Sequence, residues 1–212
     1  MTTTLPPSDW LCTERIALRQ FVPVDFDDLY RLDSDAQVMR YLNGGAPLSH
    51  AEVRATLVRT LEYYDNFPGL GVWRASRRDS GAFIGWFCLK YCGTSCDVEV
   101  GYRLLPEAWG MGYATEGAGA LLRHGFFSLG LLRVIGITHP HNRASQHVLR
   151  KCGLSSEGFA HYYDRRVRLF ARTRSDAPQE RRSPAEDPRL HVHAHPEFLS
   201  PPASRTGVRR RT

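Results

Sequence analysis

Between Cys96 and Thr138 an alternating run, a glycine turn, an amphipathic stretch and a second apolar run follow one another. No other feature of the chain restricts its fold as much. In CDVEVGYRLL (Cys96 to Leu105) Val98, Val100, Tyr102 and Leu104 fall on one face, and Glu99, Gly101 and Arg103 on the other. That is the period of a strand. After Gly110 and Gly112, the residues Ala118, Leu121, Leu122, Phe126 and Leu129 share one helical stripe. LRVIGIT (Leu132 to Thr138) reads as a buried strand. Two strands joined through a crossover helix lie parallel. Upstream, GVWRAS (Gly71 to Ser76) and GAFIGWFCLK (Gly81 to Lys90) flank a polar turn, so an antiparallel meander runs into this unit. The expected class is α+β, with a mixed, mostly antiparallel, twisted sheet flanked by helices.

The flanks agree with one domain. RIALRQF (Arg15 to Phe21) alternates like a strand, and DFDDLYRLDSDAQVMRYL reads as two short helices closed by an Asn43-Gly44-Gly45 loop. Ser49 fits the N-cap of a further helix. HPHNRASQHVLRKCG is a helix with Asn142 as N-cap and Gly153 just past its end. Gly117, Gly119 and Gly125 each weaken the crossover helix by about 1 kcal/mol relative to Ala, which close packing on the sheet would explain. A strand, a loop and a last strand end near Thr173, giving a domain over residues 1–172. Residues 173–212 carry six prolines and many charges and are expected to be a disordered basic tail.

Charge and cysteine usage narrow the function. The formal net charge is +6; residues 173–212 hold eight arginines against five acids, leaving 6 − 3 = +3 for the rest. A body so weakly charged disfavours nucleic acid as a partner. No stretch has the roughly 18 apolar residues of a membrane helix, and the start lacks the pattern of a signal peptide. A soluble, cytoplasmic protein with no membrane partner is expected. Five cysteines argue against a disulfide framework, and Cys88, Cys92 and Cys96 lack zinc-site spacing. His191, His193 and His195 could bind metal only adventitiously, so no metal cofactor is expected.

The glycine turn is neither a dinucleotide fingerprint, since Thr115 stands at the third glycine position, nor a Walker A loop, since no lysine is near. Its physics still suits an anion. Glycines let backbone approach a ligand, and a helix starting there offers unpaired N–H groups and a positive dipole end. A tight turn with no ligand is the other reading.

Taken together, the β, helices, meander order, YRLLPEAWGMGYATE and HPHNRASQHVLRKCGL…EG resemble the GNAT superfamily of acetyl-CoA-dependent N-acetyltransferases, in its RimJ/RimL-like branch. The resemblance covers residues 11–172. The superfamily loop Q/R-x-x-G-x-G/A corresponds here to Trp109-Gly110-Met111-Gly112-Tyr113-Ala114, with Trp in place of Gln or Arg. The resemblance implies that amides from Met111 to Thr115 hold the diphosphate of acetyl-CoA. It implies that the backbone of Leu104 and Leu105 pairs with pantetheine, where that strand splays from Leu132 to Thr138. It also implies that Asn142 and Ser145 face pantetheine and thioester. The acceptor would be a protein N-terminal amine or a small-molecule amine, bound near Asn43 to Pro47 and Tyr162 to Asp164; a homodimer is left open.

The reaction implied is direct attack of a neutral amine on the thioester. A lysine-type amine, at a pKa of about 10.4, costs about 4.6 kcal/mol to deprotonate at pH 7, and an α-amine only about 1–1.4 kcal/mol. Glu99 and Asp164 are the base candidates, Ser145 the donor to the leaving thiolate, and Tyr162 and Tyr163 are alternative donors or pocket walls. Glu99 could instead be an ion-paired strand residue beside Arg103, Asp164 a turn residue, and Ser145 a helix-start serine bonded to local backbone. The competing classes are an acetyl-CoA-binding regulatory module without catalysis and a nucleic-acid-associated protein acting through the arginine-rich tail.

Overall fold

The computed structural model describes residues 8–93 and 95–176, so nearly all of the expected tail lies outside the described residues. Eight strands form one sheet: β1 (Leu11–Cys12), β2 (Ile16–Gln20), β3 (Gly71–Arg77), β4 (Phe83–Tyr91), β5 (Val98–Leu104), β6 (Arg133–Thr138), β7 (Ser155–Tyr162) and β8 (Arg165–Thr173). Their spatial order is β1-β2-β3-β4-β5-β6-β8-β7. Every neighbouring pair is antiparallel except β5 and β6. That parallel contact has a single registered pair, Glu99 opposite Ile135. Beyond it the two strands part, and both carboxyl ends face the gap.

Helices cover both faces. The helices α1 (Phe26–Asp33), α2 (Ala36–Met39) and α3 (His50–Asn66) share a core with Phe83 and Leu105 through Leu32, Val38, Val53 and Leu57. Ser49 starts α3 with a capping box: its Oγ accepts from the Glu52 N–H, and the Glu52 carboxylate accepts from the Ser49 N–H. The opposite face carries α4 (Tyr113–Arg123) and α5 (Arg143–Lys151), where Leu121 and Phe126 join Trp73, Phe87 and Val100. Each large side chain buried this way contributes about 1.5–3 kcal/mol. The expected stripe holds, with Ala118, Leu121, Leu122 and Phe126 buried in one core and Leu129 packed against it, although α4 gives way to a π-turn over His124–Ser128.

Gly117 explains why a crossover helix tolerates glycine. A Cβ there would lie 2.4 Å from Cε1 and Cζ of Phe87, a ring with no exposed surface. Gly117→Ala should therefore destabilise the protein by about 1–3 kcal/mol through overpacking, although alanine is the better helix former by about 1 kcal/mol. The midpoint of urea unfolding measures it. A stability gain would mean that α4 does not rest on Phe87 as described.

Candidate active site

At the mouth of the β5–β6 gap, β5 ends at Leu104 and a short 3-10 turn over Pro106–Ala108 leads into Trp109. Gly110 and Gly112 both take the left-handed conformation, at φ 75° and 85°. No Cβ is needed there, and none obstructs the outer side of Gly110. Gly112 is the N-cap of α4. The first amides of a helix have no internal partner. Among the described residues, no backbone or side-chain acceptor takes the N–H groups of Met111 to Thr115. Met111 and Gly112 are exposed. The turn thus presents a set of free donors at a helix pole, the arrangement that holds an anion.

The strand edge beside it is partly spoken for. The Leu105 N–H donates to the Ile84 carbonyl on the β4 side. By strand alternation, the polar groups of Leu104 and Tyr102 turn toward β6. The Leu104 carbonyl accepts from Trp109 Nε1 at 2.8 Å. Trp109 therefore closes the turn onto the strand end. Across the gap, Asn142 Oδ1 caps α5 by accepting from the Ser145 N–H at 3.1 Å. Ser145 Oγ lies 3.1 Å from the hydroxyl of Tyr102, so β5 and α5 touch through these two side chains. Burial pushes the Tyr102 phenol up, and the neighbouring serine only partly offsets this, so it stays protonated as a donor.

Glu99 sits at the closed end of the gap and is 7% exposed. It is ion-paired, but not with Arg103. Lys90, its cross-strand partner on β4, donates to Oε1 at 2.6 Å, while Arg103 pairs with Asp33 of α1. Arg103 lies on the same sheet face as Glu99 but four residues, two pleat repeats, further along β5, where Asp33 of α1 supplies its carboxylate. Tyr163 donates to the same Glu99 oxygen at 2.7 Å, and Cys92 Sγ donates to Oε2 at 3.3 Å. Burial pushes the Lys90 ammonium down, but Cys88, Glu99 and Tyr163 together raise it further, so it remains charged. Burial, then Glu99, pushes the Cys92 thiol up to about 12, so it serves as a hydrogen-bond donor and not as a nucleophile.

Tyr163 and Asp164 form the tip of the β7–β8 hairpin. Tyr162 pairs with Arg165, which leaves a two-residue turn with both φ values positive, 51° and 58°. This is the hairpin turn that matches strand twist, and Asp suits it. Tyrosine does not, and the left-handed conformation costs it roughly 1–2 kcal/mol. Its hydroxyl offsets that cost by bonding three partners: it donates to Glu99 and accepts from Lys90 Nζ at 2.8 Å and from the Gly93 N–H at 3.2 Å. Asp164 is exposed and has no hydrogen-bond partner among the described residues. It lines a hollow of about 510 Å³ between the hairpin tip (His161 to Asp164) and the β4–β5 turn (Cys92, Gly93 and Ser95). Two of its lining residues, Tyr163 and Cys92, are bonded to Glu99.

Two groups of expected residues are thus assembled: Leu104 and Trp109 to Thr115 with Asn142 and Ser145 around the gap, and Asp164 with Tyr162 and Tyr163 around the hollow. Glu99 lies behind the second group, bonded to Tyr163 and not itself lining the hollow. Tyr102, Lys90 and Arg15 were not singled out by sequence. Lys90 becomes legible only once the β4–β5 register is known, and Arg15 meets its partners across about a hundred residues of chain. All five cysteines are free.

Residues 15–155 match the acetyltransferase (GNAT) domain family. The chain is 35% identical over 143 residues to the FsC-acetyl coenzyme A-N(2)-transacetylase of Aspergillus fumigatus; the match covers 63% of this chain and 60% of that relative, under two thirds of its length. It is 30% identical over 151 residues to the uncharacterized N-acetyltransferase YnaD of Bacillus subtilis, covering 70% of this chain and 84% of YnaD. Among solved structures, spermidine N-acetyltransferase from Vibrio cholerae, in complex with CoA and spermine, superposes with a TM-score of 0.62 at 18% identity, over 76% of this chain and 96% of that one. An acetyltransferase from Salmonella typhimurium that modifies the N-terminal serine of a 50S ribosomal subunit protein superposes with a TM-score of 0.65 at 17% identity, over 77% and 98%. These two structures share the fold.

The hairpin tip allows a direct check. Tyr163→Phe removes one donor and one acceptor from a buried ion pair and should cost about 1–3 kcal/mol of stability. Urea unfolding measures it. Unchanged stability would show that the hydroxyl does not hold Glu99 and Lys90 in solution.

Proposed function

Because this chain belongs to the GNAT acetyltransferase family, we propose that it transfers the acetyl group of acetyl-CoA to a primary amine by direct attack in a ternary complex. One observation carries the reading: the sheet is pried open after a single parallel pair, and the free amides of a glycine turn stand at the mouth of that opening. Met111 to Thr115 would take the diphosphate. The exposed polar groups of Tyr102 and the Leu104 N–H would take the amides of pantetheine, as a strand edge takes a peptide. The Leu104 carbonyl and the Leu105 N–H, already bonded within the protein, would act by shaping that edge.

The amine nitrogen forms a bond to the thioester carbonyl carbon, the C–S bond breaks, and the thiolate leaves. Ser145 Oγ, backed by the Tyr102 hydroxyl, is the group suited to donate a proton to that sulfur. The amine must lose a proton. Asp164 lies beside the hollow with no partner among the described residues, whereas both Glu99 oxygens already accept hydrogen bonds. Asp164 is therefore the more accessible base. Glu99 would act through Tyr163, by holding its hydroxyl in place.

The acceptor we favour is an α-type amine of low basicity, on a peptide N-terminus or a small molecule. Two points support this. Lys90 neutralises the buried carboxylate, which leaves Asp164 as the single acid among the residues lining the hollow, too little charge to favour a polycation. An α-amine also needs about 3 kcal/mol less help in deprotonation than a lysine-type amine. The Aspergillus fumigatus relative, named for transfer to an N(2) nitrogen, agrees with that class.

Thiol release from acetyl-CoA, measured against peptides with free N-termini, amino-acid amides and diamines, tests the proposal. The α-amines should turn over, and Gly112→Asp should abolish acetyl-CoA binding by placing a side chain and a negative charge at the diphosphate position. Unchanged calorimetric affinity of that variant would remove the turn from the cofactor site. For the base, Asp164→Asn should lower kcat by roughly 10²–10⁴-fold and flatten the acidic limb of the pH–rate profile. If only Glu99→Gln does so, the roles of the two acids are exchanged; if neither does, positioning and solvent carry the deprotonation.

A further inference from the structure

The turn is braced from outside its own segment. Glu116, in the first turn of α4, accepts from Thr13 Oγ1 at 2.6 Å, from the Arg15 N–H at 2.8 Å and from Arg15 Nε at 2.7 Å, and Arg15 Nη2 stands 2.6 Å from its second oxygen. The same guanidinium donates through Nη1 to the Met111 carbonyl at 3.0 Å and lies over the Tyr113 ring. Its side chain is 45% exposed. Thr13 and Arg15 both come from the β1–β2 connection, about a hundred residues earlier in the chain.

Two consequences follow for an anion at this turn. A carboxylate in the first turn of a helix competes with a ligand anion for the same positive pole. Arg15 cancels that charge and holds the carboxylate against the β1–β2 turn. Second, a trans peptide points its C=O and the following N–H in opposite directions. Fixing the Met111 carbonyl on Arg15 turns the Gly112 N–H the other way, toward the open side of the turn.

We propose that Arg15, paired with Glu116, is a positioning residue for coenzyme A: it neutralises the one acid at the α4 pole and aims the Gly112 amide at the diphosphate. This rests on the turn being the diphosphate site, as argued above. The sequence motif of the turn does not include Arg15, and no local pattern connects the two.

Calorimetry with free CoA tests it on the full chain, with Gly112→Asp as the control for the site itself. Arg15→Gln leaves the Glu116 charge facing the ligand and should raise Kd by at least about tenfold, as an uncompensated unit charge near a dianion requires in a partly screened site. KM for acetyl-CoA should rise with it, and KM for the amine should not. Adding Glu116→Gln to Arg15→Gln should bring Kd only part of the way back, because the repulsion is gone while the Met111 carbonyl still lacks its Arg15 donor. Glu116→Gln alone keeps one acceptor, for Thr13 Oγ1 and the Arg15 N–H, and leaves the Arg15 guanidinium its bond to the Met111 carbonyl; with the acid gone it should bind CoA at least as tightly as the native protein, and it remains informative should Arg15→Gln fold poorly. The proposal is overturned if Arg15→Gln binds CoA normally while Gly112→Asp does not, if the double variant is as weak as Arg15→Gln, or if Glu116→Gln alone loses affinity. Normal binding by Gly112→Asp would instead remove the diphosphate assignment, and this proposal with it.

Discussion

Two antiparallel sheets meet in this protein at one parallel residue pair, Glu99 with Ile135, and everything that reads as function is arranged around that junction. A longer parallel ladder would have closed the sheet. A shorter one would have left two separate sheets with four edges instead of two, each a row of unpaired backbone groups. One pair is enough to join β1–β5 to β6, β8 and β7, and it leaves the carboxyl ends of β5 and β6 apart. The crevice at the carboxyl ends of parallel strands is where open α/β sheets take ligands. Here the glycine turn after β5 and the N-terminus of α5 after β6 stand on its two sides.

The junction also explains the buried charge. A carboxylate at the closed end of the gap has lost most of its water, and an unpaired one would cost several kcal/mol. Lys90, Tyr163 and Cys92 supply three donors to Glu99, one from the facing strand, one from the hairpin tip and one from the turn after β4. The network ties the β7–β8 hairpin down over β4 and β5, at the expense of a tyrosine in a left-handed turn. Backbone strain of this kind persists only where surrounding contacts over-determine it. The hollow beside it is then a place where Asp164, without a partner among the described residues, meets solvent.

Much of this was legible beforehand because it depends on short-range pattern. The alternation from Val98 to Leu104, the Ser49 and Asn142 caps and the crossover helix are set by neighbours a few residues apart, and each stands where the spacing puts it. The parallel pairing of β5 and β6 followed from the crossover itself. Other features depend on register or on long-range approach, and no local signal encodes them. The pairing of Glu99 with Lys90 in place of Arg103 needed the β4–β5 register and the position of α1. The insertion of β8 between β6 and β7 cannot be told from a simple meander by periodicity. Arg15 reads in the chain as one more polar residue at the start of a strand, and only the fold brings it to Met111 and Glu116.

The central claim is that the opened strand pair and its glycine turn form one coenzyme A site. Amide-resolved NMR with added CoA tests this most directly, because the donors in question are individual N–H groups. The account predicts that the amides of Met111 to Thr115, with those of Tyr102 and Leu104, shift together along a single saturating titration and become protected from exchange. Saturable binding that leaves these amides unmoved, with shifts confined to another surface of the sheet, would contradict it.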